Sequence, residues 1–377
     1  MKIMVFDVSC NGHHMEYLHH IKTALDKHFT EYVLIVPDSF RQKGSMSDWC
    51  KKDEEKWDLI NSDVIQQAEQ SNPIMRKLRN TLILQKYVIK HKPDHLLLID
   101  FPSVMPFMPF LIPWNLKISG IIYRIYFYEW ETSSIVTKVK DVIESWLLAK
   151  SKNIYNAFVL NDSSAVAYYR KRYSSDKFKL LPDPIMDNGY QPRDIRQELG
   201  IGEAQKVFIQ FGGLGVRKGT LTILDAIALL DGELCKNYVF IFAGKISDDI
   251  RNPFINGVNN LASKCRIIVE EGFLPYERLL DLCHTSDIVL LPYLNIAQSS
   301  GIFGYAAKLG KPVIGPAEGV LGKMIRRHPI GVAIRKLDSR KLAETISGIY
   351  VTYNKNTEYL SRHSIPVFQN VIINSFK

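Results

Sequence analysis

The 377-residue sequence holds only five cysteines, Cys10, Cys50, Cys235, Cys265 and Cys283, an odd number scattered too widely for a CxxC pair or a zinc knuckle. They read as reduced, mostly buried thiols, which excludes a disulfide-stapled miniprotein and points to the cytoplasm. Long hydrophobic runs are also lacking. The nearest approach, Leu96 to Trp114, contains Asp100 and the prolines Pro102, Pro106, Pro109 and Pro113, which would break a spanning helix. The N-terminal MKIMVFDVSCNGHH has one early lysine and too short an apolar run for a signal peptide, so export is not expected. Acidic residues are the minority charge, 39 against 48 Lys plus Arg, for a net charge of +9. An anionic partner follows: nucleic acid, anionic lipid or a phosphorylated substrate. No nucleic-acid-binding module accompanies the charge, so nucleic acid is not expected.

What is present is ordinary globular material, 46% hydrophobic and 23% charged. At roughly 150 residues per domain the length suggests two to three domains. Apolar runs recur at Ile3 to Val8, Tyr32 to Val36, Leu96 to Ile99, Ile121 to Tyr126 and Phe158 to Leu160. They continue at Val207 to Phe211, Tyr238 to Ala243, Ile267 to Val269, Ile288 to Leu291 and Pro312 to Ile314. Most are continuously apolar, the pattern of strands buried on both faces of a parallel sheet. Helical spacing separates them at Met15 to Lys27, Thr220 to Leu230 and Glu277 to Cys283; in the second, Leu221, Leu224 and Ala228 fall on one face. The fold class is therefore α/β with parallel sheets. Three prolines and several Asp, Asn and Gly residues between Lys179 and Arg196 mark a boundary near Asp183. The economical architecture is two Rossmann-like domains facing a central cleft, residues 1–183 and 184–377, with room for the last helix to pack back on the first.

Two segments of the second half carry the chemistry. Gly212-Gly213-Leu214-Gly215-Val216-Arg217-Lys218-Gly219 follows a strand and precedes a helix. Glycines let the backbone approach a ligand, and Arg217 and Lys218 put two cations at a strand's carboxyl end, which suits a diphosphate. It is neither a Walker A loop nor GxGxxG, because Lys218 stands where the third glycine belongs. The competing reading is a glycine turn with a solvated basic pair. The second segment, Pro292 to Ile314, runs from a strand end through Ser299-Ser300-Gly301-Ile302, where either serine can cap a helix reaching about Leu309. The N–H groups of Gly301 and Ile302 would turn that helix's positive end toward phosphate oxygens.

These residues resemble the GT-B glycosyltransferases, in particular the large retaining family 4 group (glycosyl transferases group 1). The resemblance runs from about Leu180 to Ile334, in LPDPI, GGLGVRKGTLTILDAI, YVFIFAGK, VEEGFLPYERLLDLCHTSDIVLLPY and SSGIFGYAAKLGKPVIG. It implies a nucleotide-sugar donor, with Arg217 and Lys218 at the diphosphate, Gly272, Phe273 and Leu274 beside the base, and Ser299 to Ile302 completing the phosphate site. The family usually places two glutamates eight positions apart across the last motif; here Ala297 and Tyr305 occupy those places. Either Tyr305 and Ser299 substitute with neutral hydrogen bonds, or the donor is handled differently.

In the first half, Gly12-His13-His14 follows the first strand, the loop that GT-B enzymes close over the acceptor and the donor diphosphate. By that resemblance His13 would sit near the scissile phosphate, alongside Gly12; the alternative for either histidine is a helix cap, and Asp7 reads as structural. Asp100 and Glu129 are the candidate general bases, the latter within the aromatic run Tyr123 to Glu131, whose rings suit sugar faces. Basic clusters occur at Arg76 to Arg79, Lys86 to Lys92, Lys138 to Lys152 and Arg170 to Arg172. Two of these regions mix with apolar residues, Leu82 to Leu84 and Trp146 to Leu148, and with the apolar loop Met105 to Trp114 give a face able to rest on anionic lipid at the inner side of a membrane. The expectation is a hexosyltransferase that needs neither metal nor cofactor, moving sugar from a nucleotide diphosphate to a glycan or lipid-linked acceptor. A sugar-nucleotide epimerase, a phosphorylase and a non-catalytic nucleotide-sugar-binding protein are the alternatives.

Overall fold

The computed structural model describes residues 1–9, 13–42, 53–349 and 355–377. The expectations placed on Gly12, on the His13 side chain and on Cys10 and Cys50 fall outside the described residues. Cys235, Cys265 and Cys283 are buried free thiols. The chain forms two compact units, Met1–Asp183 with Ile365–Lys377, and Pro184–Ser364.

The first unit contains β1 (Ile3–Phe6), β2 (Tyr32–Pro37), β3 (Trp57–Ile60), β4 (His95–Leu98), β5 (Lys117–Ile122), β6 (Ile154–Leu160) and β7 (Phe178–Leu181). Its helices are α1 (His13–His28), α2 (Ser62–Glu69), α3 (Pro73–His91), the single turn α4 (Met108–Leu111), α5 (Ile135–Lys150) and α6 (Ser163–Tyr173). The strands make one parallel sheet in the order β3-β2-β1-β4-β5-β6-β7. Every residue of β1 and β2 is buried, because helices cover both faces. The strand expected at Ile121 to Tyr126 is instead β5, which stops at Ile122; Tyr126–Glu129 is a 3-10 turn. A last helix, Ile365–Ile373, packs against α1 within this unit: Phe368 lies 5.1 Å from the Tyr17 ring, and the Gln369 side-chain amide donates to the His20 carbonyl at 2.9 Å.

The second unit contains β8 (Lys206–Phe211), β9 (Tyr238–Gly244), β10 (Arg266–Glu271), β11 (Ile288–Leu290), β12 (Val313–Pro316) and β13 (Gly331–Ile334). Between and after them come α7 (Thr220–Leu229), α8 (Gly232–Lys236), α9 (Arg251–Leu261), α10 (Tyr276–Thr285), α11 (Gly301–Leu309), α12 (Gly319–Arg327), α13 (Ser339–Gly348) and α14 (Thr357–Arg362), so the helix of the first unit described last is α15. The sheet is again parallel, in the order β10-β9-β8-β11-β12-β13. Of the face read from Leu221, Leu224 and Ala228, Leu224 is buried and Leu221 packs partly buried on the core, but Ala228 is exposed; Ile223, Ala226 and Ile227 complete the buried side, because the sheet and α9 flank the helix.

Both sheets are doubly wound, and each reverses strand order once, between β1 and β4 and between β8 and β11. Connections diverge to opposite faces at such a point, leaving a crevice at the strands' carboxyl ends where α/β folds bind ligands. The candidate residues lie on the loops that leave those strands.

Candidate functional site

In the second unit, the loops after β8 and β11 are packed together. A side chain on Gly212 (φ +88°) would come within 3.2 Å of the Ile302 side chain, and one on Gly219 (φ +67°) would sit 2.0 Å from the Pro292 carbonyl oxygen. Only glycine fits at either place. The Arg217 carbonyl accepts the Leu294 N–H at 3.1 Å, and the Arg217 guanidinium donates to the Gln298 side-chain oxygen at 2.9 Å. Two segments about 80 residues apart thus build one surface, with Gly213 exposed on it and Arg217 open to solvent.

Lys218 is not a solvated basic residue. Its ammonium lies 3.9 Å from the centre of the Tyr293 ring and donates to that tyrosine's hydroxyl. Burial, with a smaller contribution from neighbouring Arg217, pushes the Lys218 pKa down to about 7. The Tyr293 side chain is buried, which drives its own pKa up to about 12, so the hydroxyl stays neutral. Tyr293 then meets Ser300 hydroxyl to hydroxyl at 2.8 Å. This corrects the capping role expected of the serines. Ser300 holds the N-cap position of α11, but its hydroxyl makes no bond to the helix and is turned toward Tyr293. The first N–H groups of α11, at Gly301 and Ile302, have no intrahelical acceptor, as at any helix start.

Around this centre, Gly272, Phe273 and Leu274 follow edge strand β10, and the Phe273 ring is fully exposed. Ser299 is half-buried, whereas Ala297 is fully enclosed. Tyr305 packs its ring on Phe211 at 6.2 Å and Tyr276 at 5.8 Å, so its place is held by aromatic contact.

In the first unit the structure places His14, the neighbour of His13, where α1 begins beyond β1. Its Nδ1 lies 2.7 Å from the buried Asp7 carboxylate, and its ring stacks on Tyr123 at 5.2 Å. Burial works against the charged imidazole, but the carboxylates of Asp7 and, more weakly, Asp100 outweigh it, and the His14 pKa is raised. Asp7 therefore orients a histidine. Neither side chain announced the pairing, since the six residues between them carry no signal that would bring a carboxylate and an imidazole together. Asp100 follows β4 and lines a cleft of about 280 Å³ with Arg76, Lys77, Asn80 and Ser103. Burial raises its pKa to about 6. Glu129 is different: Arg124 grips its carboxylate through two nitrogens, which disfavours it as a base. The rings of the aromatic run around it pack on one another and on α6, Phe127 lying 4.5 Å from both Tyr128 and Tyr168, and remain partly exposed.

No family model and no curated protein matches the sequence. Solved structures do. WaaG, a glycosyltransferase involved in lipopolysaccharide biosynthesis, is 16% identical and superposes with a TM-score of 0.68 over 100% of this chain and 94% of its own. Anabaena HepE in complex with UDP-glucose is 15% identical, with a TM-score of 0.73 over 100% of this chain and 99% of its own. Sucrose-phosphate synthase from Thermosynechococcus elongatus is 12% identical, with a TM-score of 0.70 over 100% and 98%. The fold is GT-B. In this GT-B chain the packed loops after β8 and β11 bring Arg217, Lys218 and the start of α11 together at the switch point of the second sheet.

Proposed function

We propose that the chain is a glycosyltransferase that moves a sugar from a nucleotide-diphosphate donor to a glycan or lipid-linked acceptor at the inner face of a membrane, in polysaccharide or glycoconjugate synthesis. The observation that carries this reading is Lys218, half-buried at the switch point with a tyrosine hydroxyl as its partner and no ion pair among the described residues. A buried cation without a counter-charge is a site that an anion completes. HepE, of the same fold, was solved with UDP-glucose and with UDP.

In transfer, the bond from the anomeric carbon to the diphosphate oxygen breaks, a bond to an acceptor hydroxyl forms, and negative charge collects on the leaving diphosphate. In this reading Arg217, Lys218 and the N–H groups opening α11 stabilise that charge, the role a metal ion fills elsewhere. The acceptor proton goes to Asp100, ionised above about pH 6, or to a donor phosphate oxygen. Phe273 offers an exposed ring for the base, and Tyr305 and Ser299 offer neutral groups to the ribose and sugar.

Absence of carboxylates at Ala297 and Tyr305 favours one alternative, a protein that binds nucleotide sugar without turning it over. Nucleotide release assayed with and without glycan and lipid acceptors separates them. Acceptor-dependent release supports transfer, conversion of the donor into another nucleotide sugar with no nucleotide released points to an epimerase, phosphate-dependent cleavage of a glycan points to a phosphorylase, and saturable binding with no turnover supports the binding protein.

A further inference from the structure

Exposed apolar side chains in the second unit, such as Leu229 and Ile255, sit singly on different helices, as on any soluble surface. The first unit differs. On α3, Ile74, Met75, Leu82 and Ile89 are 41–67% exposed at spacings that fall on one stripe. On α5 a second stripe runs through Ile135, Val136, Val139, Ile143 and Trp146. Phe110 of α4 and Trp114 just beyond it are 71% and 78% exposed.

These elements are neighbours. The connections from β3 to β4, β4 to β5 and β5 to β6 all step the same way across the sheet, so right-handed crossovers put α3, α4 and α5 on one side. Lys77 of α3 bonds Glu144 of α5 at 2.6 Å, and Gln85 of α3 donates to the Leu111 carbonyl of α4 at 2.8 Å. The exposed charges on α3 and α5 themselves are one-sided, the exposed acids Asp63 and Glu69 belonging to the neighbouring α2. Helix α3 carries Arg76, Lys77, Arg79, Lys86 and Lys90 and no acidic residue. The two acidic residues of α5, Asp141 and Glu144, are buried.

We infer that the outer face of α3, α4 and α5 docks on an anionic lipid bilayer. Aliphatic side chains and two tryptophans enter the boundary between headgroups and acyl chains, while Arg79 and Lys86 meet lipid phosphates. Charge argues against a second copy as the occupant, because a two-fold contact would set the acid-free α3 face against itself. The inference deepens the functional reading above, and rests on it for the lipid-linked acceptor that this surface would reach. Its test does not involve the donor.

The test is co-sedimentation of the full chain with vesicles of phosphatidylcholine alone or with about 30% phosphatidylglycerol. Binding about tenfold stronger to the anionic vesicles is expected, with a blue shift of tryptophan emission. Ile143→Ser with Trp146→Ser, and separately Arg79→Glu with Lys86→Glu, should each cut it about tenfold. Leu229→Ser in the second unit should not change it. Thermal melts establish that the variants fold; should the serine pair unfold, the charge reversal decides. No binding, equal binding to neutral vesicles, or unchanged binding by the variants overturns the inference. So does a lipid-free dimer, in sedimentation velocity, that both double variants dissolve. Calorimetry with nucleotide sugars on the same preparation keeps the readings apart: vesicle binding without nucleotide binding overturns the proposed function alone, and the reverse overturns this inference alone.

Discussion

The ammonium of Lys218 and the ring of Tyr293, 75 positions apart in sequence, meet at 3.9 Å with the tyrosine hydroxyl as hydrogen-bond acceptor. A cation held by a neutral partner keeps its charge only weakly, and a pKa of about 7 makes that charge conditional on ligand and pH.

Nucleoside diphosphate binding should therefore depend on pH. A bound diphosphate raises the Lys218 pKa, so above pH 7 binding takes up a proton and affinity falls, by about tenfold or more between pH 7 and 9. Calorimetry in buffers of different ionisation enthalpy reads the proton directly. Lys218→Arg should flatten the profile; a flat profile in the wild type would refute the assignment. Stability of the free protein moves the other way. The unfolded chain holds this proton to about pH 10.4 while the folded chain loses it near 7, so the contribution of Lys218 to stability rises with pH across that window.

Tyr293→Phe keeps the ring beneath Lys218 and removes the hydroxyl shared with Ser300. The loss of a hydrogen bond to a charged group, about 1.5–3 kcal/mol, should lower the melting temperature by several degrees and, by releasing the ammonium from its position, weaken diphosphate binding by about tenfold. An unchanged Kd would show that the hydroxyl does not position the lysine.

Arg217→Ala and Lys218→Ala should each remove most turnover in the proposed reaction and leave the fold intact, because neither side chain belongs to the apolar core between the sheet and its helices. Near-normal rates in both would end the donor-site assignment.

Asp7→Asn removes the charge that raises the His14 pKa and leaves the burial that lowers it, so the His14 titration should move to below about 6.5. NMR titration of the imidazole measures it. In the wild type the pair stabilises the fold fully below pH 6.5 and loses that contribution as the pH rises through the raised folded value.

Gly219→Ala should cost roughly 3 kcal/mol, since the new methyl meets the Pro292 carbonyl oxygen at 2.0 Å in a left-handed backbone. A melting temperature within a degree of wild type would show that the two loops are not packed this way.

The interior of both sheets is legible in the sequence because inner strands such as IMVF and YVLIVP are apolar throughout. The strands that escape notice, WDLI of β3, FKLL of β7 and GVAI of β13, are all edge strands. WDLI and FKLL are each interrupted by a charge, and GVAI opens on a glycine and is only partly buried at three of its four positions, so none stands out as a run. The site divides likewise. Glycines, Arg217 and Lys218 are visible as a local cluster, but the partners of that cluster, Tyr293 and Ser300, arrive through the adjacency of β8 and β11, which no local pattern encodes. Glu129 illustrates the converse: Arg124 stands five residues before it, close enough that the pairing lay within reach of sequence alone.

The central claim, an anionic donor site completed at Lys218, is tested most directly by isothermal titration calorimetry of wild type and Lys218→Ala against a panel of nucleotide sugars. The account predicts saturable binding of at least one of them by the wild type, weakened about tenfold or more by the substitution. No binding by the wild type, or equal affinity in both proteins, would contradict it.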